Sequence, residues 1–576
     1  MQLTLLDWSL IIGFFAISLA IGIFAAKQSG KSSENFFLSG RNMPWWLLGV
    51  SMVATTFAAD TPGLVAGIVR ADGVAGNWIW WSFLLTGMLT VFFYAKLWRK
   101  TNISTDLEFY ELRYSGKSAA FLRGFRAIYL GVIFNIVIMA TVCLAAIKIG
   151  HVIFGFTAAQ SLLISCGVTL IYSTLGGLKG VLLTDFVQFI IAMVGSIWAT
   201  IYIVNLPEIG GIQNLIQHEA VQTKTSFFPD FSLPEVYIPL LIIPLAVQWW
   251  SVWYPGAEPG GGGYIVQRML AAKDKNHATK ATLFFTIVHY AIRPWPWIIM
   301  GLASLIIFPN LDSLATAFPH LDPSFIKDDL SYAAMLKFLQ PGLLGLVVTS
   351  LIAAFMSTIS THLNWGSSYV VNDFYVRFVA PKASPKKQVL IGRISTIIMM
   401  VAAAFLALKL EDAKNAFDLL LQIGAGTGLL FILRWFWHRI NPFSEITAML
   451  VSFVIAFLFF ADEVYQWNAF DLLGYEKLIL GVLITTIAWV SVSLLTSPSS
   501  KEKREEFNSK VFGSESKFEG FGTKTLGFLA GVSGVYCILF STGFFIYQKF
   551  SLGVLCAAIG LACFIFIGAK WRVIVR

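Results

Sequence analysis

The stretch Ser51–Gly67, SMVATTFAADTPGLVAG, lies inside an apolar run long enough to cross a bilayer, yet no lipid-facing helix would carry its residues. It contains the carboxylate of Asp60, the hydroxyls of Thr55, Thr56 and Thr61, and Pro62 between Thr61 and Gly63. An ionisable group at bilayer depth costs at least ~2.5–3.5 kcal/mol on insertion scales, so it faces a partner or a watery cavity. Pro62 lacks an N–H and clashes with the preceding turn, which predicts a helix break just before it. The freed backbone groups are tolerated at that depth only where they meet protein, water, ion or solute. The stretch therefore reads as an ion and solute site at the bilayer midplane; the plainer alternative is a proline kink with snorkelling threonines.

The rest of the chain fits a polytopic, all-α membrane protein. Of 576 residues, 57% are hydrophobic and only 13% charged, against about 25% charged in soluble domains. Mean hydropathy is +0.73. The net charge of +9 calls for no nucleic acid, because basic loops on one membrane face account for it. The five cysteines lie in apolar runs without metal spacing. Asp7 and the absence of a basic leader argue against a signal peptide. Fifteen spans are predicted, near 7–26, 44–68, 74–97, 122–148, 155–175, 180–203, 236–255, 279–305, 343–375, 387–408, 416–437, 443–461, 473–495, 527–547 and 551–572. Alternate loops are basic (Lys27 to Arg41, Arg99 to Lys117, Arg268 to Lys275, Arg377 to Lys387) and the intervening ones acidic. That pattern predicts an N-terminus outside and a C-terminus in the cytoplasm, in the plasma (inner) membrane. Between spans, 320–340 is expected to hold a short surface helix, and 498–526 to be a mobile charged linker with a solvated surface.

A second interruption appears five helices on, Gln248–Tyr264, with Pro255, Pro259 and the run Gly260, Gly261, Gly262, Gly263. Two Gly/Pro-broken spans at matching places in two halves point to a transporter built from inverted repeats. The expected organisation is 1–43 as an extra helix and loop, 44–205 as the first repeat, and 234–440 as the second. Then come 441–497 (two helices), 498–526 (linker) and 527–576 (two helices). The core is five plus five, with about five helices added. The glycine run reads either as a gate or as a flexible loop end; without a following Gly-Lys-Ser/Thr it is no phosphate cradle.

The ninth span carries Ala354, Ser357, Thr358 and Thr361 at i, i+3, i+4 and i+7, one helical face, with Ser360 beside it. Such oxygens suit hard cations; close helix packing with back-bonded hydroxyls is the alternative. Asp185, opening the sixth span, either pairs with Lys179 or charges a second cation site.

Taken together, Asn35–Arg41 with Pro44-Trp-Trp46, Thr105–Phe109 with Arg113-Tyr114, Gly176-Gly-Leu with Thr184-Asp185 and Gln188, Gln267–Lys273, and Ala354–Asn364 resemble the sodium/solute symporter family. The resemblance spans about residues 5–440. It implies coupling to inward sodium flow by alternating access. By position it implies a shared sodium site from the carbonyls of Ala54, Phe57 and Ala354 and the hydroxyls of Ser357 and Thr358. A second site, found in some members, would use Asp185, Ser357, Ser360 and Thr361, for two sodium ions per solute. Where sugar-binding relatives carry amide and acid side chains, this chain has Thr61 and Trp80.

The solute itself is left open. Thr55, Thr56, Asp60, Thr61, Asn77, Trp80, Trp81, Trp253 and Tyr254 combine aromatic faces with hydrogen-bonding groups, which suits a sugar, whereas Arg293 suits a carboxylate. The expected partners are a small solute and lipid, with no nucleic acid and no obligate protein partner. No Ser-His-Asp, CxxC or HExxH constellation supports an enzyme, and His151, His289, His362 and His438 read as structural. Uptake of a sugar or sugar acid leads; amino-acid or organic-anion symport, or a sodium-dependent sensor or channel on the same fold, is the alternative.

Overall fold

A computed structural model describes residues 3–252, 258–319, 323–410, 422–424, 426–467, 469–513 and 519–575. Among them there is no β-strand, only one isolated bridge between Met43 and Ala272. The predicted span 416–437 lies partly outside the described residues, and among those residues eleven helices are long and apolar enough to cross a membrane. One of them, Ala158–Val204, is two of the predicted spans joined at a kink, because Gly177 adopts φ 54°, ψ −163°. A side chain at Gly177 would meet the Phe36 carbonyl at 2.7 Å, so close approach of the 33–38 helix also requires glycine there. The broken spans account for much of the remaining difference from fifteen.

Both interruptions are present. Helix Trp45–Thr55 stops, residues 56–60 are irregular, and helix Thr61–Asp72 resumes with Pro62 in its first turn, where the missing N–H costs nothing. In the second half, helical turns from Pro234–Tyr237 to Gln248–Trp250 end, residues 251–252 and 258–262 are not helical, and helix Gly263–Ala271 follows. Trp253 and Tyr254 lie outside the described residues.

Burial ranks the helices from centre to rim. The helix Leu343–Tyr369 is the hub: its apolar window is 89% buried, against 17% for Phe550–Val575. Small residues let neighbours close on one another. A Cβ on Gly301 would sit 2.9 Å from the Ala66 backbone, and one on Gly63 2.9 Å from the Asp329 carbonyl. Gly63 and Gly67 thus serve packing against residues 328–329, which Arg70 pins by an ion pair to Asp328 at 2.9 Å.

Two expectations about loops need correction. The helix in 320–340, Leu330–Met335, is not on the surface: Leu330, Tyr332, Ala334 and Met335 are buried, packed on Thr61–Asp72. The segment 498–526 is not simply a mobile linker. Its helix Lys501–Val511 buries Phe507 and Val511, and Phe507 packs edge-on against Phe109 and under the Arg113 guanidinium. Two apolar residues among nine polar ones were enough to dock it.

Candidate functional site

The break in the first core helix divides two environments. Thr55, its last helical residue, faces the hub helix. Its hydroxyl lies 2.9 Å from that of Thr361, and its carbonyl accepts a hydrogen bond from the Thr358 hydroxyl at 3.1 Å. The hub oxygens thus meet the break as the i, i+3, i+4, i+7 spacing requires. Ser357 donates to Asp185 at 2.6 Å, and Ser51 donates to the other oxygen of the same carboxylate. Ser360 is back-bonded to the Ser357 carbonyl at 3.1 Å. Ala54, Ala354, Ser357, Thr358, Ser360, Thr361 and Asp185 are all buried. The arrangement offers clustered hard oxygens beside one formal negative charge, a donor set suited to sodium.

Asp185 does not pair with Lys179. Its cationic neighbour is Arg268, on the helix after the glycine run: Nη2 lies 3.7 Å from Oδ2, and neither side chain is exposed. Arg268 also donates to Thr361 at 2.7 Å, to Ser51 at 3.1 Å and to Thr55 at 3.3 Å. Sequence reading placed Arg268 among loop bases. Its signal was positional: Arg268 lies in the short helix that follows the second break.

Thr56, one residue on, faces the opposite way. Its hydroxyl lies 3.0 Å from His289 Nδ1 and accepts from Arg293 at 3.2 Å; Arg293 also donates to the Val53 carbonyl at 3.3 Å. The Arg293 guanidinium lies over Trp297, whose ring packs 4.9 Å from Phe57. It is 2% exposed, its Nε has no hydrogen-bond partner, and among the described residues no carboxylate pairs with it. Trp80 stacks on Tyr290 and meets His289 edge-on, each at 6.0 Å. His289 and Tyr290 were missed as contributors; their spacing from Arg293 on one helix was the available clue.

The other solute candidates are placed elsewhere. Asn77 is buried and spends its amide on the Val74 carbonyl (3.0 Å) and on Trp80 Nε1 (2.8 Å). Trp81 packs against Trp78 and Phe540. Thr61 accepts from the Ala58 N–H at 3.1 Å and so shapes the break, and the Asp60 side chain is accessible.

The glycine run is buried rather than a loose loop end. Gly260, Gly261 and Gly263 have φ of 85°, 99° and 51°. Trp98 Nε1 donates to the Gly260 carbonyl at 2.8 Å, and the Gly263 N–H donates to Asp106 at 2.8 Å. Next to them Glu258 and Arg126 form a buried ion pair at 2.7 Å, and Tyr369 donates to Asp106. Only glycine combines these dihedrals with this packing.

Comparison with known proteins agrees with this architecture. A Na+-coupled sialic acid symporter, solved in a substrate-bound outward-open state, superposes with a TM-score of 0.68 at 20% identity, covering 87% of this chain and 100% of that one. The sodium/glucose cotransporter of Vibrio parahaemolyticus is 24% identical over 512 residues, 86% of this chain and 91% of the relative. Sodium/glucose cotransporter 1 of Mus musculus is 25% identical over 545 residues, 85% and 79% respectively. The model of the sodium:solute symporter family matches residues 36–452, most of the chain, so this protein is a member of the sodium:solute symporter family.

Proposed function

We propose that this protein takes up a small polar solute bearing a carboxylate, a sugar acid in the leading case, driven by sodium through alternating access. The observation that carries the solute class is Arg293. A guanidinium at bilayer depth with a partnerless Nε and no acidic neighbour among the described residues is costly unless a ligand supplies the anion. Its planar fork matches a carboxylate in two bonds. Trp80 and Tyr290 provide aromatic faces for the rest of the solute. The names of the glucose and sialic acid relatives favour a sugar-like body for it.

Sodium binds first at the shared site: the carbonyls of Ala54, Phe57 and Ala354 with the hydroxyls of Ser357 and Thr358. Support comes from the Thr358–Thr55 bond, which already clamps the hub helix to the break. A second sodium binds at Asp185 with Ser357, Ser360 and Thr361. Ion and solute sites share the break itself, because Thr55 faces the ion oxygens and Thr56 the Arg293 face. Binding on one side therefore orders the peptide that serves the other. The basic loops support an N-terminus outside and a C-terminus on the cytoplasmic side of the plasma (inner) membrane.

The test is uptake into proteoliposomes under an inward sodium gradient, with sugar acids, their neutral parent sugars and amino acids compared. Accumulation of a sugar acid against its own gradient, lost when potassium replaces sodium, is the expected result. Transport of the neutral sugar with equal efficiency would remove Arg293 as the basis of selection. Downhill flux without accumulation would point to a channel.

A further inference from the structure

Asp185 already has a cation within its own protein. Arg268 Nη2 lies 3.7 Å from Oδ2, both side chains are fully buried, and the same guanidinium nitrogen donates to Thr361 at 2.7 Å. Thr361 is one of the four residues that would hold the second sodium. An ion seated there needs the Thr361 oxygen turned to it and the Asp185 charge uncommitted. With Arg268 in place it meets a positive charge at contact range in a medium that screens little.

We propose that Arg268 is a tethered competitor of the second sodium: guanidinium and ion are alternative occupants of one carboxylate. This rests on the symport reading above and sharpens it. With Arg268 so placed, Asp185 is neutralised internally and only the shared site is open to sodium. The second ion binds only when Arg268 withdraws from Asp185, Thr361 and Thr55. Arg268 lies in Gly263–Ala271, immediately after the glycine run. Its withdrawal is therefore a movement of the second broken helix, pivoting where Gly260, Gly261 and Gly263 hold positive φ. An arginine is suited to the task, since it stays charged and can trade a carboxylate for the neutral oxygens of Tyr264 (3.4 Å) and Gln267 (3.4 Å) that it already reaches.

The experiment is equilibrium binding of radiolabelled sodium to the purified full chain in lipid nanodiscs, with choline holding ionic strength constant. Wild type should bind one ion tightly and a second at concentrations at least about tenfold higher. Arg268→Gln should tighten the second event by about tenfold or more, since every tenfold is ~1.4 kcal/mol; Asp185→Asn added to it should return the chain to one ion. Thr55→Val, which loosens the arginine without removing a proposed ligand, should shift the second event the same way by less. An Arg268→Gln isotherm equal to wild type, or one that loses the second ion, overturns the proposal. If Arg268→Gln does not fold, an unchanged Thr55→Val isotherm overturns it. Absence of sodium binding in wild type would overturn the symport reading itself, a different result from sodium binding that ignores Arg268.

Discussion

Arg268, on helix Gly263–Ala271, and Asp185, on Ala158–Val204, meet 3.7 Å apart with neither side chain exposed to solvent. The contact joins the helix after the second break to the helix after the Gly177 kink, and Ser51 and Thr55 of the first broken helix complete its shell. Removing one partner of such a buried pair typically costs ~3–5 kcal/mol, because the remaining charge is left uncompensated. The two interrupted segments are thus linked through charge as well as packing.

Sodium dependence should weaken when the hub hydroxyls are removed. Ser357→Ala with Thr358→Ala is expected to raise the sodium concentration for half-maximal uptake on the order of tenfold or more, as for loss of bonds to a charged group. Thr358→Ala alone keeps Asp185 fully hydrogen-bonded and should give part of that shift. The measurement is initial uptake rate against sodium concentration. A folded double variant with the wild-type curve would remove these residues from the ion site.

Arg293 should select for charge on the solute. Arg293→Gln is expected to weaken binding of a sugar acid by about 10- to 100-fold, the range for losing a charged hydrogen bond, and to leave its uncharged amide analogue little affected. Isothermal titration in saturating sodium distinguishes the two. Equal losses for acid and amide would make Arg293 a structural partner of Thr56 and the Val53 carbonyl.

The glycine run should control turnover. Gly261 has φ 99°, and a Cβ there would lie 2.9 Å from Met269 and 3.2 Å from Trp98. Gly261→Ala is therefore expected to slow transport about tenfold while solute affinity changes little. Gly262, extended at φ −160°, tolerates alanine on backbone grounds. The double variant should behave as Gly261→Ala does. An unaffected turnover rate would reduce the run to a buried connector.

The acidic limit of stability should include Glu111, which sits outside the spans between Arg123 (2.8 Å) and Arg377 (2.7 Å). Partial burial pushes its carboxyl up, but the hydrogen bonds and charges of Arg377 and Arg123 outweigh it, and the result lies below the usual glutamate value. A carboxyl depressed in the folded state contributes stability above its unfolded value and loses it as pH falls through the folded one. Thermal midpoints measured from pH 6 down to 3 should drop more steeply for wild type than for Glu111→Gln. Parallel curves would assign the acid sensitivity elsewhere.

Orientation is accessible to labelling. Single cysteines placed near each terminus of a cysteine-free chain, probed on whole cells with an impermeant thiol reagent, should react only at the N-terminal position. Reaction at the C-terminal position alone would invert the topology inferred from the basic loops.

Much of this protein was legible in local sequence. Pro62 and the threonines before it fixed where the first core helix breaks, since a missing N–H acts on its own turn. The spacing of Ala354, Ser357, Thr358 and Thr361 put their oxygens on one helical face, because 3.6-residue periodicity is a local property. Membrane class and family followed from apolar runs and motif order. Long-range pairing was not legible. Lys179 is the base nearest in sequence to Asp185, yet Arg268 is its partner. Kink and break geometry, and the approach permitted by small residues, set which helices touch. The same holds for Phe507, whose burial depends on a groove beside Phe109 and Arg113, and for Trp81, turned by its neighbours toward Phe540. Sequence determined where the chain must break and which oxygens share a face. Only tertiary structure decided which charge answers Asp185 and left Arg293 without an acidic partner among the described residues, because a buried charge selects its neighbours in space rather than along the chain.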